Sequence, residues 1–465
     1  MSQKAKEDRK PKVSKRTYLL FALPFVIAYV IWQWFPALAW HIVVHGFGYL
    51  PSARDAHWLW YGTLFAFFTL YVVFAIGLGG ILVVAAWIWR RRKKPGRSTE
   101  YPTVSFVVPA YNEEKLISRC ITSLFQTADN YAGFCEIIVV DDGSNDNTYE
   151  VALATIQENR CLWPNVCGKV ARHTKNKGKV EAIRTAINRA TGELVATVDS
   201  DTWWDRDALS KLVNHMNEEG NTAISGYIHP SDGENERRFY TILQQLEYSR
   251  GLSIFRNAHA LGDAIPVVPG PMGLYKDHIL REILDEKTVE SVTEDLEITL
   301  EMQKNGFSIG YVDEARSSTV APTSFKAFWN QRLRWFTGWL HNLLSIHKDL
   351  LFKRSLLSLV LWYALILSYC GGIIELIALS SLPVYLWFAP DRIFFLLNVL
   401  IYILFAFIVG IIYQGIALKF SYGKYNHRHL LPYAPLYYAL NFINICARVR
   451  ALIKYFQGDR GCWHR

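Results

Sequence analysis

Long apolar runs open and close this 465-residue chain, and a stretch of short alternating segments separates them. After a basic, polar start over 1–16, residues 18–40 are apolar for about the 20 positions that a bilayer-spanning helix requires. No small-residue cleavage site follows, so this run is read as an uncleaved first span. A second run over 59–89 ends at the basic stretch "RRRKK" (90–94). Apolar runs return at 355–389, 392–418 and 431–447. The first is long for one span, with Gly371 and Gly372 offering a break. The last carries Asn441, Asn444, Arg448 and Arg450, which suits a short span, a re-entrant piece or a surface helix. Basic flanks belong on the cytoplasmic side. The expectation is a multi-pass protein of the plasma membrane whose middle region lies in the cytoplasm.

That middle region reads differently. "TVSFVV" (103–108), "EIIVVDD" (136–142) and "ELVATVDSD" (193–201) are short β-rich runs alternating with amphipathic stretches, the pattern of a doubly wound, mainly parallel sheet. Such sheets bind ligands beyond the carboxyl ends of their strands. The stretch "FKAFWNQRLRWFTGWLHNLL" (325–344) has helical spacing. On a wheel Trp329, Leu333, Phe336, Leu340, Leu343 and Leu344 share one face, and Gln331, Arg334, Trp335, Gly338 and Asn342 share the opposite one. The expected organisation is a basic N-terminus with two transmembrane helices (1–98), an α/β domain (99–323), an amphipathic interface helix (324–350) and a C-terminal transmembrane region with a tail (351–465). The expected fold class is thus a membrane α-helical bundle plus a cytoplasmic α/β domain.

Composition supports the membrane reading: 51% of residues are hydrophobic. The net charge of +9 comes largely from "RKPKVSKR" and "WRRRKK", which flank apolar runs, so nucleic acid is not expected as a partner. Seven scattered cysteines without a CxxC spacing imply reduced thiols and no structural zinc.

Candidate chemistry gathers at the strand ends. "VDSD" puts Asp199 and Asp201 on one side of the chain, where two carboxylates would repel unless a cation or polar ligand lay between them. Turn chemistry alone accounts for Asp and Ser at a strand end. Asp141 and Asp142 end another strand, and Lys177 and Lys179 surround Gly178 at a helix start, where N–H groups and ammonium ions favour phosphate. A nucleotide diphosphate with a metal explains both signs of charge on one rim. In "SVTEDLEITLEMQKNGF" Thr293 is the expected N-cap and Gly306 the C-terminal stop, with Glu294 and Asp295 in the first turn. Dipole compensation, worth about 0.3–1 kcal/mol, accounts for those acids. The alternative is that the helix end keeps Asp295 ionised, ready to accept a proton.

In order, "FVVPAYNEE", "IIVVDDGSNDNT", "NKGK", "VDSD", "TED" and "QRLRW" resemble the family 2 glycosyltransferases, and the last two resemble the processive membrane synthases of cellulose, chitin, hyaluronan and poly-N-acetylglucosamine. The resemblance covers roughly 100–345 and implies a GT-A-like domain. It implies a donor site for a UDP-sugar, UDP-GlcNAc among the candidates, at Ala110, Tyr111, Glu113, Asp142, Lys179, Asp199 and Ser200, with Mg2+ or Mn2+ on Asp201. It further implies Asp295 as base with Glu294 beside it. Gln331, Arg334, Trp335, Gly270 and Pro271 would then lie where diphosphate and acceptor meet, on a helix whose leucine face meets lipid. The implied reaction is inverting transfer to a growing β-linked polysaccharide that is passed through the bilayer. The alternative is transfer of one sugar to a polyprenyl phosphate or other lipid. An accessory subunit is left open. "VVPGPMGLYK" leans toward hyaluronan and chitin synthases, "TED" toward cellulose and poly-N-acetylglucosamine synthases. Trp463 and Arg465 stand near the position of a gating motif.

Overall fold

A computed structural model describes residues 77–92, 100–233, 238–286, 289–371, 373, 383, 392–421 and 427–459. The expected first span (18–40), most of the run at 59–89, most of 372–389, and Trp463 and Arg465 lie outside the described residues.

An apolar helix, α1 (Gly77–Arg90), leads into the α/β region. There, strand β1 (Val104–Ala110) is followed by α2 (Ile117–Asp129), β2 (Cys135–Asp141), α3 (Thr148–Leu162), β3 (Cys167–Arg172) and α4 (Lys179–Ile187). Next come β4 (Leu194–Thr197), β5 (Thr202–Trp204), α5 (Ala208–Glu219) and β6 (Ala223–Ser231). Helix α6 (Phe239–Arg250) runs through a π-turn (Gly251–Arg256) into α7 (Asn257–Leu261). The region closes with β7 (Gly273–Lys276), α8 (Asp277–Glu286), α9 (Glu294–Lys304) and β8 (Ile309–Val320). Every residue of β1 and β2 is buried, as expected of strands covered on both faces. Their side chains, with those of the flanking helices, make the largest apolar core.

The sheet is mixed, a correction to the mainly parallel expectation. Its order is β3-β2-β1-β4-β7-β6-β8-β5. Pairs β1/β2, β1/β4, β2/β3 and β6/β8 are parallel, whereas β4/β7, β6/β7 and β5/β8 are antiparallel. Strand β7 is only four residues long and carries no alternating signature, which hid it from the pattern. The reversal matters for the site. Antiparallel pairing sets Gly273 opposite Thr197, so the Gly270–Pro271 turn that enters β7 lies over the carboxyl end of β4.

Beyond the sheet follow α10 (Phe325–His341), α11 (Leu356–Leu365), α12 (Arg392–Phe420) and α13 (Leu436–Phe456). Ser324 caps α10 by accepting from Ala327 N at 3.3 Å. The leucine face of α10 also meets protein: Leu333, Phe336, Leu340 and Leu344 pack with Tyr369, Ala451, Leu452 and Tyr455. The apolar stripe that suits a bilayer suits an adjoining helix equally well, and α13 supplies one. Among the described residues one helix, through Ile403–Phe420, is long and apolar enough to cross a membrane; α1 and Leu356–Cys370 are shorter apolar helices.

Candidate active site

The two strand ends and two helix starts that carry the candidate chemistry lie close together. Asp142, just past β2, is buried and well partnered: His173 Nδ1 lies 2.7 Å from its Oδ1, and Lys177 N and Gly178 N donate to its two oxygens at 2.9 and 2.7 Å. Those two N–H groups, expected to favour phosphate, are spent on Asp142. The carboxylate therefore shapes the loop that starts α4, and Oδ2 keeps acceptor capacity for a ligand. His173 was not foreseen, although its place at the end of β3 follows the same strand-end rule.

Lys179 reaches across the cleft. Its Nζ lies 2.6 Å from Asp199 Oδ1 and 2.7 Å from Glu294 Oε1, tying the end of β4 to the start of α9. Burial opposes its charge, yet the two carboxylates prevail and hold the ammonium above its ordinary pKa. Burial also opposes the charge on Glu294, but Lys179, with help from Arg334, keeps that carboxyl below its usual value. Gly270 sits against this pair: a Cβ there would come 2.8 Å from Lys179 Nζ and 2.9 Å from Asp199 Oδ1, so a larger residue would push the ion pair aside.

Asp295 behaves in the opposite way to its neighbour. Burial and then the Glu294 charge push its carboxyl up to about 6, although Leu296 N donates to Oδ1 at 2.8 Å and Gly270 N to Oδ2 at 3.4 Å. Burial first, and then the adjacent carboxylate, outweigh the helix terminus, so the carboxyl is raised yet still ionised at neutral pH. Thr293 stands at the N-cap without a side-chain capping bond. Instead it faces α10, where Asn342 Nδ2 donates to Ser291 Oγ at 3.0 Å and to Thr293 Oγ1 at 3.3 Å. Gly306, with φ of +84°, ends the helix as expected.

On the rim beside Lys179, Asp201 accepts from Thr202 and Thr319 hydroxyls, each at 3.2 Å. Burial and Asp199 push it up to about 6. Glu113 is pushed up to about 7 by burial and then by Asp201, Asp146 and Asp199. Carboxyls so short of countercharge suit a cation. Among the described residues no group of three or more His, Cys, Asp or Glu forms a ready cage. One carboxylate with a substrate diphosphate is a sufficient donor set for Mg2+ or Mn2+, so Asp201 fits that role.

The remaining predicted residues spread outward. Ala110 and Ser200 are buried and Tyr111 is exposed on the loop after β1. Pro271 O accepts from Trp204 Nε1 at 3.0 Å. On α10, Arg334 is exposed, while Gln331 and Trp335 are half-buried. Sequence reasoning missed Glu247 and Arg332, 85 positions apart, whose ion pair closes at 2.6 Å.

The sheet thus carries acids and a lysine at one edge, a set that suits a nucleotide diphosphate. Residues 105–284 match the Glycosyl transferase family 2 model. Over that stretch the chain is similar to family 2 glycosyltransferase domains, the family that the motifs resemble. It is 31% identical over 249 residues to an N-acetylglucosaminyltransferase of Mesorhizobium japonicum, covering 52% of this chain and 57% of that one. A second N-acetylglucosaminyltransferase, of Sinorhizobium fredii, is 31% identical over 242 residues, covering 50% of this chain and 56% of the relative. The chain thus spans little more than half the length of these relatives. Mannosyltransferase PcManGT of Pyrobaculum calidifontis, in complex with GDP-Man and Mn2+, shares the fold with a TM-score of 0.54 at 19% identity, over 83% of this chain and 97% of that one.

Proposed function

We propose that the chain transfers N-acetylglucosamine from UDP-GlcNAc, with inversion, to a growing β-linked polysaccharide, and that its helices pass the polymer through the plasma membrane. One observation carries the reading: Asp295 is a carboxyl tuned toward neutrality, next to Glu294, Lys179 and Asp199 on the face where a nucleotide diphosphate would lie. The two N-acetylglucosaminyltransferase relatives support the choice of sugar.

In this reading Asp295 accepts the proton of the acceptor hydroxyl while that oxygen bonds to the anomeric carbon. The bond to UDP breaks with its electron pair on the diphosphate. Lys179 and Arg334 place positive charge beside the leaving group. Asp201 would hold Mg2+ or Mn2+, whose contribution is to offset the charge of the departing diphosphate. Attack from the far face of an α-linked donor gives a β-linkage. A base with a pKa near 6 is ionised at neutral pH yet basic enough to take a proton, a balance that an ordinary carboxyl lacks. Gln331, Arg334 and Trp335 on α10 face the acceptor. Exposed Ile393, Leu396, Leu400, Leu404, Ile408 and Ile412 give α12 a surface suited to lipid.

The test is a donor screen with the purified protein, followed by product sizing and by glycosidase protection in sealed vesicles fed from outside. UDP release specific to UDP-GlcNAc, with protected polymer, is the expected outcome. A single sugar on a lipid would replace the polymerase reading with the lipid-transferase one, and polymer fully open to glycosidase would remove translocation.

A further inference from the structure

An indole offers two faces to a sugar ring, and in this protein one is already taken. The Arg332 guanidinium lies 4.5 Å from the Trp335 ring centre and 4.6 Å from that of Phe328, so three side chains spaced by four and three residues form one stack along α10. The stack is rooted at its lower end, where Phe328 is fully buried with Leu243 of α6 and Leu440 of α13. Arg332 is itself 2% exposed. Its charge is answered by Glu247 of α6, whose Oε2 accepts from Nη2 at 2.6 Å while Oε1 accepts from Asn444 Nδ2 of α13 at 3.0 Å.

We infer that Glu247 and Arg332 are a positioning pair for the acceptor: they lock Trp335 in one orientation and leave a single indole face for the sugar. The inference rests on the reading of Trp335 as an acceptor contact. A guanidinium held only by stacking would be free to swing toward the acidic cleft, carrying its cover off the indole. The short bond to Glu247 prevents this. Glu247 does not touch the reacting atoms, and neither does Arg332, so both act through Trp335. The pair also joins three helices at one point, because α6, α10 and α13 each contribute a side chain to it.

Three variants separate positioning from simple structural support. Arg332→Lys keeps the charge next to Glu247 but loses the planar stack. Glu247→Gln weakens the hold on Arg332. The double variant Glu247→Gln with Arg332→Gln removes both charges together, which avoids leaving one buried alone. Each is purified with the full chain in detergent and assayed with UDP-GlcNAc and N-acetylglucosamine oligosaccharides as acceptor. Acceptor KM is expected to rise about tenfold in Arg332→Lys and in the double variant, with donor KM and acceptor-free UDP release unchanged. Product length is expected to fall in step. In a Trp335→Ala background Arg332→Lys should change acceptor KM no further. Equal acceptor KM in wild type and variants would overturn the inference, as would parallel losses in donor KM, acceptor KM and melting temperature. Failure of the functional reading looks different, because the wild type would then release no UDP from UDP-GlcNAc.

Discussion

The two banks of the cleft are built on opposite principles. On one bank, the donor side in the proposed function, Asp142 has its oxygens engaged by two N–H groups and a histidine, and Lys179 is gripped by two carboxylates. On the other, the proposed acceptor side, Asp295 receives two backbone N–H groups but is buried next to the negative Glu294, and its carboxyl rises to about 6. Saturation fixes a shape, whereas a deficit of countercharge stores a readiness to take a proton. Adjacent residues, Glu294 and Asp295, thus differ in role because Lys179 reaches one of them.

The largest effect expected tests the rim between the banks. Chelation of divalent cations should abolish UDP release, and Mg2+ or Mn2+ should restore it, since burial and neighbouring carboxylates raise Asp201 and Glu113 and a cation would relieve both. Full turnover in excess chelator would assign the rim to the protein alone.

Next in size is Asp295→Asn. Transfer should fall by roughly 10² or more while donor affinity stays close to wild type. In the wild type, kcat/KM should decline as pH drops through about 6. The stability sign is reversed from that of a salt-bridged acid. A carboxyl raised in the folded state stabilises most below its unfolded pKa of about 3.9, and that contribution is lost as pH rises through the folded value. Asp295→Asn should therefore melt higher than wild type at pH 8, with the gain gone at pH 4. Equal melting at both would mean that Asp295 carries no raised pKa.

The smallest effect probes how the acceptor helix is bolted to the base. A Cβ on Gly338 would clash with Thr293, two residues before Asp295. Gly338→Ala should lower kcat about tenfold by displacing the start of α9, with less change in donor KM. Unchanged kcat would mean that α9 takes its position from the sheet and not from α10.

Legibility followed range. Asp142, Asp199, Asp201 and Asp295 were readable because strand ends and helix starts are written locally, in four or five consecutive residues. So was the wheel of α10, whose Gly338 and Asn342 do face the Thr293 end of α9. What escaped was decided between distant segments. The Glu247–Arg332 pair joins residues 85 positions apart, and the packing of the leucine face of α10 on α13 likewise joins distant segments. Local spacing also could not weigh burial and Glu294 against a helix terminus, so the upward shift of Asp295 was not legible. Strand β7, four residues of mixed polarity, needed β4 and β6 on either side to become a strand at all.

Arg90 gives the fold a mechanical linkage. The last residue of α1, it rests 4.6 Å over the ring of Phe420, the last residue of α12, and lies 3.5 Å from Asp313 of β8. Further along, past the point where β8 breaks register with β6 between Val312 and Arg316, the same strand presents the Thr319 hydroxyl that donates to Asp201. One strand thus has the ends of two apolar helices at its start and the rim acid at its end, with an irregularity between them that interrupts the regular pleat.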